Sequence, residues 1–186
     1  MPKPKQFVAA PLDAYAERIT TGVAYLGGVL LLPLLFAYLS NNRWGGLLIP
    51  TAVALLIALF LLLTYLSQPT RYSIEGEQLV IRQRWFRTLR IPLKQISGVS
   101  FAPQLAQIPQ HGIRFGFNPG VHGYQGPFYL TDFGRVFMLA TNRERLVALA
   151  RYPAEPLIIS PANPRDFVLA MQAEVGSTGG SEGERR

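Results

Sequence analysis

Between Arg82 and Lys94 the chain sets Arg82, Arg84, Arg87, Arg90 and Lys94 within thirteen residues, with no acid among them and with Trp85 and Phe86 in their midst. Residues of these types, so spaced, suit a polyanionic surface. A basic side chain beside an anionic leaflet contributes about 1 kcal/mol, and aromatic rings can enter the membrane interface. A solvated strand face that also helps set membrane topology has the same composition. The other chemistry-bearing residues are sparse. His111 and His122 are the only histidines, and a metal would need ligands beyond scattered acids such as Asp132. The glycines at 112, 116, 120, 123 and 126 precede no strand-to-helix step, so they form neither a dinucleotide fingerprint nor a phosphate loop. Ser160 stands before Pro161 without a neighbouring His–Asp pair and reads as structural. The absence of cysteine excludes a disulfide scaffold, Cys-based zinc and iron–sulfur sites and a cysteine nucleophile. No catalytic residue, metal or cofactor is expected, and the chain does not read as an enzyme.

The elements that must position the basic cluster begin with two apolar stretches. The 186 residues are 49% hydrophobic and only 16% charged, against about 25% charged in an ordinary soluble domain. No charge falls between Arg18 and Arg43, and none between Arg43 and Arg71. Thr20 to Ser40 and Leu47 to Leu66 are each long enough to cross a hydrocarbon core as a helix, which takes about 20 residues. The remaining chain is too short to bury two helices that are apolar on every side. A cleaved leader is disfavoured by the length of the first stretch, by Pro33 and by the lack of small residues at Ala37-Tyr38-Leu39.

The short connection makes the helices antiparallel neighbours. Lys3, Lys5 and Arg18 before them and Arg71 to Lys94 after them outweigh Arg43 between them, so both termini are expected in the cytoplasm. Tyr38, Trp44, Tyr65 and Tyr72 fall at the expected interfaces. Ala24 with Gly28, and Ala54 with Ala58, have the spacing that lets two helices approach closely. Neither span holds an ionisable residue, which removes the main support for a transporter or pump. A bilayer anchor also makes lipid headgroups, rather than nucleic acid, the nearest polyanion for the basic cluster.

From Arg71 the pattern turns to short alternating runs broken by Gly and Pro. Strands are expected at Arg71–Ile74, Gln78–Trp85, Thr88–Ile91, Ile96–Phe101, Pro127–Leu130, Arg135–Thr141, Leu146–Ala150 and Pro156–Ser160. Leu79, Ile81 and Trp85 would share one face, with Arg82 and Arg84 on the other. Ala102 to Gln125 reads as a long mobile loop with at most one short strand. Asn163-Pro164-Arg165-Asp166 supplies a cap, a first-turn proline and an acid for a closing helix, on which Phe167, Val168, Met171 and Gln172 recur at helical spacing. After Val175 the tail has nothing to bury.

Several features in this order carry a family likeness. They are Pro119-Gly120, Gly134, Ala140-Thr141 and the helix start Ser160-Pro161-Ala162-Asn163-Pro164-Arg165-Asp166-Phe167. From Arg71 to Glu174 the chain resembles the bacterial pleckstrin-homology-like (PH) domains that follow two transmembrane helices. The resemblance implies a partly open antiparallel barrel capped by a C-terminal helix, and it carries no catalytic residue. The expected organisation is a cytoplasmic segment 1–18, a transmembrane hairpin 19–68, a PH-like domain 71–174 and a disordered tail 175–186. The expected function is non-enzymatic: a membrane-tethered module that binds anionic lipid headgroups, a protein partner or another copy of itself. The alternative is an accessory subunit of a membrane enzyme or transport complex, with a site completed by another subunit.

Overall fold

The computed structural model describes residues 4–39, 48–86, 88–102, 118–130 and 134–180. Arg43, Trp44, Arg87 and His111 lie outside them, as does much of the expected loop. Two long apolar helices, α1 (Ala14–Leu39) and α2 (Leu48–Leu66), pack as a hairpin. Both are long and apolar enough to cross a membrane, and both lie almost wholly exposed, unlike the core helix of a soluble protein. Their seam runs through Gly27 and Ala54, both buried. A Cβ on Gly27 would stand 3.2 Å from Ile57 Cγ2, whereas Gly28 meets nothing within 4 Å and Ala24 and Ala58 are exposed. The close approach is therefore real, but it uses Gly27 rather than the Ala24–Gly28 pair. A period of 3.6 residues makes that small phase difference decisive.

Before α1 comes a strand absent from the sequence expectation, β1 (Lys5–Val8). It pairs antiparallel with β2 (Pro69–Glu75), which continues to β3 (Gln78–Gln83) and β4 (Leu89–Pro92) in a four-stranded meander. The tight turn from β2 to β3 places Gly76 at φ +58°, a backbone region that glycine enters without steric cost. The second sheet is built from β5 (Ile96–Phe101), β6 (Asn118–Gly120), β7 (Gly123–Leu130), β8 (Gly134–Ala140), β9 (Val147–Arg151) and β10 (Leu157–Ile159). Its spatial order is β5-β9-β10-β8-β7-β6, antiparallel except for the parallel β8–β10 pair. The two sheets form a sandwich and are not closed into a barrel.

Side chains on the six-stranded sheet alternate between two apolar layers, as strand periodicity requires. Leu139, Leu157 and Ile159 face Tyr72, Leu79, Ile81 and Ile91 of the meander, along with Phe167 and Met171 of α3 (Pro164–Gly180). Met138, Ala140 and Ile158 join Tyr124, Phe128 and Ala16, the last of these on the first turn of α1. The helix α3 starts where its capping sequence indicates and extends to Gly180, past Val175. Phe167 lies edge-on to Phe7 at 5.2 Å and to Tyr72 at 6.2 Å. Residues 5–16 thus supply an edge strand and core contacts to the domain rather than a separate segment.

Tyr72, whose place beside the second span suggests an interfacial ring, is fully buried instead. Its hydroxyl donates to Leu139 O at 3.0 Å and accepts from Ser160 N at 3.3 Å, so a polar tip is satisfied inside the sandwich. Burial pushes that hydroxyl's pKa well above the usual tyrosine range. Ser160 has the structural role its surroundings suggest: its Oγ accepts from Thr141 N at 2.7 Å.

Candidate functional site

The domain meets the start of α1 through a buried polar cluster centred on Asp13. Asp13 precedes α1, and its Oδ1 accepts from Ala16 N at 2.8 Å, which makes it the helix N-cap. Its Oδ2 accepts from Arg143 N at 2.9 Å and from Arg143 Nε at 3.3 Å, and the Tyr124 hydroxyl donates to the same oxygen at 3.1 Å. The Arg143 guanidinium also lies 4.4 Å above the Tyr15 ring. Asp13 and Arg143 form an ion pair well shielded from solvent, and Tyr124, buried beside the carboxylate, has its hydroxyl pKa raised, with desolvation the larger cause. One carboxylate therefore caps the helix and holds it to the β7 and β8 side of the sandwich. Asp13 carries a legible signal, an Asp immediately before a long apolar helix, but its ion pair with Arg143 is invisible at a sequence separation of 130.

The hairpin from β6 to β7 closes the junction. Part of the stretch expected to be a mobile loop, residues 118–125, is paired strand with a tight turn at Val121-His122. Asn118 Oδ1 accepts from Val121 N at 2.9 Å across that turn. His122 N donates to Thr20 Oγ1 at 2.8 Å, and His122 Nδ1 lies 3.1 Å from Thr64 Oγ1. The tip therefore touches both helices, at the start of the uncharged part of α1 and in the last turn of α2. Gln125 binds the same end of α2, with its Nε2 3.2 Å from Thr64 O and its Oε1 accepting from the Ser67 hydroxyl. Gly123 has φ +111°, and a Cβ there would fall 2.7 Å from Ala140 O, so only glycine fits.

The basic cluster lies around the neighbouring hairpin, from β3 to β4. Arg84 N donates to Gln68 O and Trp85 N to Leu66 O, each at 3.0 Å, which ties this loop to the last residue of α2. The Arg84 guanidinium stacks 4.2 Å over the Tyr65 ring and donates to Gln68 Oε1 at 3.3 Å. Trp85 and Phe86 project from the same loop, 81% and 47% exposed. Trp85 lies beyond the end of β3, so it does not share the buried face of Leu79 and Ile81.

The described cations of the cluster do not form one patch. Arg82 is exposed on β3, bonded to Glu75 at 3.3 Å and opposite Arg71, a sixth cation that the linear clustering does not single out. Arg90 is exposed at mid-strand, opposite Val80. Lys94 follows β4, whose Pro92 pairs with Gln78, and Leu93 N is held by Glu77 O. Lys94 is thus separated from Arg84 by the length of β3, about 20 Å at 3.3 Å per residue. Arg87 falls outside the described residues. Arg84 is the described member of the cluster at the helix end, with Arg82 and Arg71 next along the sheet.

One other concavity is an open groove of about 390 Å³ beside the start of α3. Arg145 and Arg165 there are matched by Glu144 and Asp166, so it carries no net charge to select a ligand.

A helix hairpin long and apolar enough to cross a membrane, followed by a two-sheet sandwich with a C-terminal helix, is compatible with a PH-like protein. The bacterial PH domain family profile matches residues 70–175, more than half of the chain, and the chain belongs to that family. A comparison with curated proteins finds no match.

Proposed function

We propose that this chain is a non-enzymatic integral membrane protein whose PH domain is held against the cytoplasmic leaflet to engage anionic lipid headgroups. The two helices span the bilayer with both termini cytoplasmic and Arg43 outside, as the distribution of basic residues favours. The observation that carries the reading is the bond from Trp85 N to Leu66 O. It sets an exposed tryptophan, Phe86 and the Arg84 guanidinium at the level where α2 ends. Tryptophan at that level has the amphipathic character of an interfacial anchor. Arg84, Arg82 and Arg71 supply the nearest positive charge at about 1 kcal/mol each, while Lys94 sits too far along the sheet to share the same headgroups.

The test uses the full chain in nanodiscs with Trp44→Phe, which leaves Trp85 as the sole tryptophan. Brominated phosphatidylglycerol should quench Trp85 more than brominated phosphatidylcholine at equal mole fraction. Replacing Arg71, Arg82 and Arg84 by Gln should remove that preference. Equal quenching by the two lipids in the unreplaced chain would overturn the lipid reading and leave the loop as a surface for a protein partner.

A further inference from the structure

Arg84 and His122 come from different hairpins, yet both lie against Tyr65. The guanidinium covers the ring face at 4.2 Å, and the imidazole meets the ring edge-on with centroids 5.5 Å apart. The ring of His122 is half-buried, with Nδ1 turned to Thr64 and Nε2 on the opposite side. The backbone at His122 has φ +53°, uncommon for a residue with a side chain, and the turn holds it there through the bond to Thr20. Two nitrogen-bearing groups are thus fixed around one phenol at the end of α2, on a chain whose nearest polyanion is the leaflet.

We propose that Arg84, Tyr65 and His122 form a binding site for the phosphate of an anionic lipid headgroup, with Arg84 as the permanent cation and His122 as a proton-dependent donor. This rests on the lipid reading above and adds to it a defined site and a dependence on pH. Arg84 supplies the planar donors suited to phosphate oxygens. Protonated His122 supplies a further charge-assisted bond from Nε2, and the Tyr65 hydroxyl a neutral one. With no phosphate present, burial and then the Arg84 charge hold the His122 pKa below its ordinary value. The charged residues on the facing turns of α1 are Glu17 and Arg18, both exposed; on the α2 side the cation is Arg84. A bound phosphate would offset the Arg84 charge and favour the imidazolium. By linkage, whatever raises the His122 pKa on lipid binding must tighten lipid binding on acidification.

Because His111 is the only other histidine, His111→Gln makes His122 the single imidazole of the chain. The full chain with that change, labelled at histidine, is titrated by NMR in nanodiscs of phosphatidylcholine with and without phosphatidylglycerol. The anionic lipid should raise the His122 pKa, and Arg84→Gln should remove most of that rise. A rise of equal size in the Arg84→Gln variant would overturn the site, since the general surface potential then accounts for it. No rise, with Trp85 still quenched preferentially by phosphatidylglycerol, would overturn the site and leave the lipid reading intact. Loss of both would overturn the two together. Inorganic phosphate added to phosphatidylcholine discs should leave the pKa unmoved, and a full rise there would overturn the membrane lipid as ligand.

Discussion

The β6–β7 and β3–β4 hairpins reach the same end of the helix pair with opposite materials. The first ends in glycines, an internally bonded Asn118 and a His122 tip secured by Thr20 and Thr64. The second ends in Arg84, Trp85 and Phe86; backbone bonds and the Arg84 guanidinium stacked on Tyr65 tie it to α2, while Trp85 and Phe86 turn to the surroundings. The difference separates holding from contacting. Burying polar groups requires that each find a partner, and the β6–β7 junction meets that demand group by group. The β3–β4 loop leaves large side chains exposed where an interface could take them. The domain is therefore docked on its helices rather than tethered to them, and the docking aims the second loop.

The largest effect should come from breaking the junction at its charge. Asp13→Ala removes the partner of Arg143, the bond from Tyr124 and the cap of α1. Losing one member of a shielded ion pair costs about 3–5 kcal/mol, so thermal unfolding of the full chain should shift strongly downward. A change within about 0.5 kcal/mol, the range of ordinary surface substitutions, would contradict the docked arrangement.

Next in size is Gly123→Ala, which forces a Cβ towards Ala140 O at a positive φ and should cost about 1–3 kcal/mol of local strain. Amide exchange in residues 118–125 should accelerate while the β2–β3 pair stays protected. Unchanged exchange would show that the turn tolerates a side chain.

A smaller effect follows from protonation. A histidine whose pKa is lowered in the folded state binds protons more readily when released. Its contribution to docking is complete above the ordinary value of about 6.5 and declines as pH falls towards the lowered folded value. In phosphatidylcholine discs, protection of residues 118–125 should fall below about pH 6.5, and His122→Gln should flatten that dependence. An identical pH profile in the variant would remove His122 as the cause. The smallest effect belongs to the other hairpin: Trp85→Ala should alter thermal stability by less than about 0.5 kcal/mol, and a larger loss would mean that the ring packs rather than projects.

How much of this was legible from sequence follows the range of the forces involved. The apolar helices, the capped start of α3 and the strand alternation around Met138 and Leu139 are written in local pattern, and the sequence shows them. The strand β1 is four residues long and mostly exposed, and only its pairing with β2, across the whole helix hairpin, makes it a strand. Tyr72 and Tyr65 look alike in sequence because a phenol suits both a satisfied core and a wet boundary. Position in the fold decides between them, burying Tyr72 on β2 and leaving Tyr65 on α2 exposed. The glycines at 120 and 123 suggest mobility, yet Gly120 lets the turn approach Tyr15 and Gly123 lets it approach Ala140. The cluster from Arg82 to Lys94 is compact in sequence, but a hairpin carries its ends back to the far edge, so Lys94 is parted from Arg84 and Arg71 is brought to Arg82.

The contrast between the two hairpins can be measured in a single sample. Hydrogen exchange of the full chain in phosphatidylcholine discs should show slow exchange at the bonded amides of Val121 and His122 and fast exchange at Phe86. Adding phosphatidylglycerol should slow exchange at Phe86. Exchange at Val121 and His122 as fast as at Phe86, before any anionic lipid is added, would contradict a domain docked on its helices.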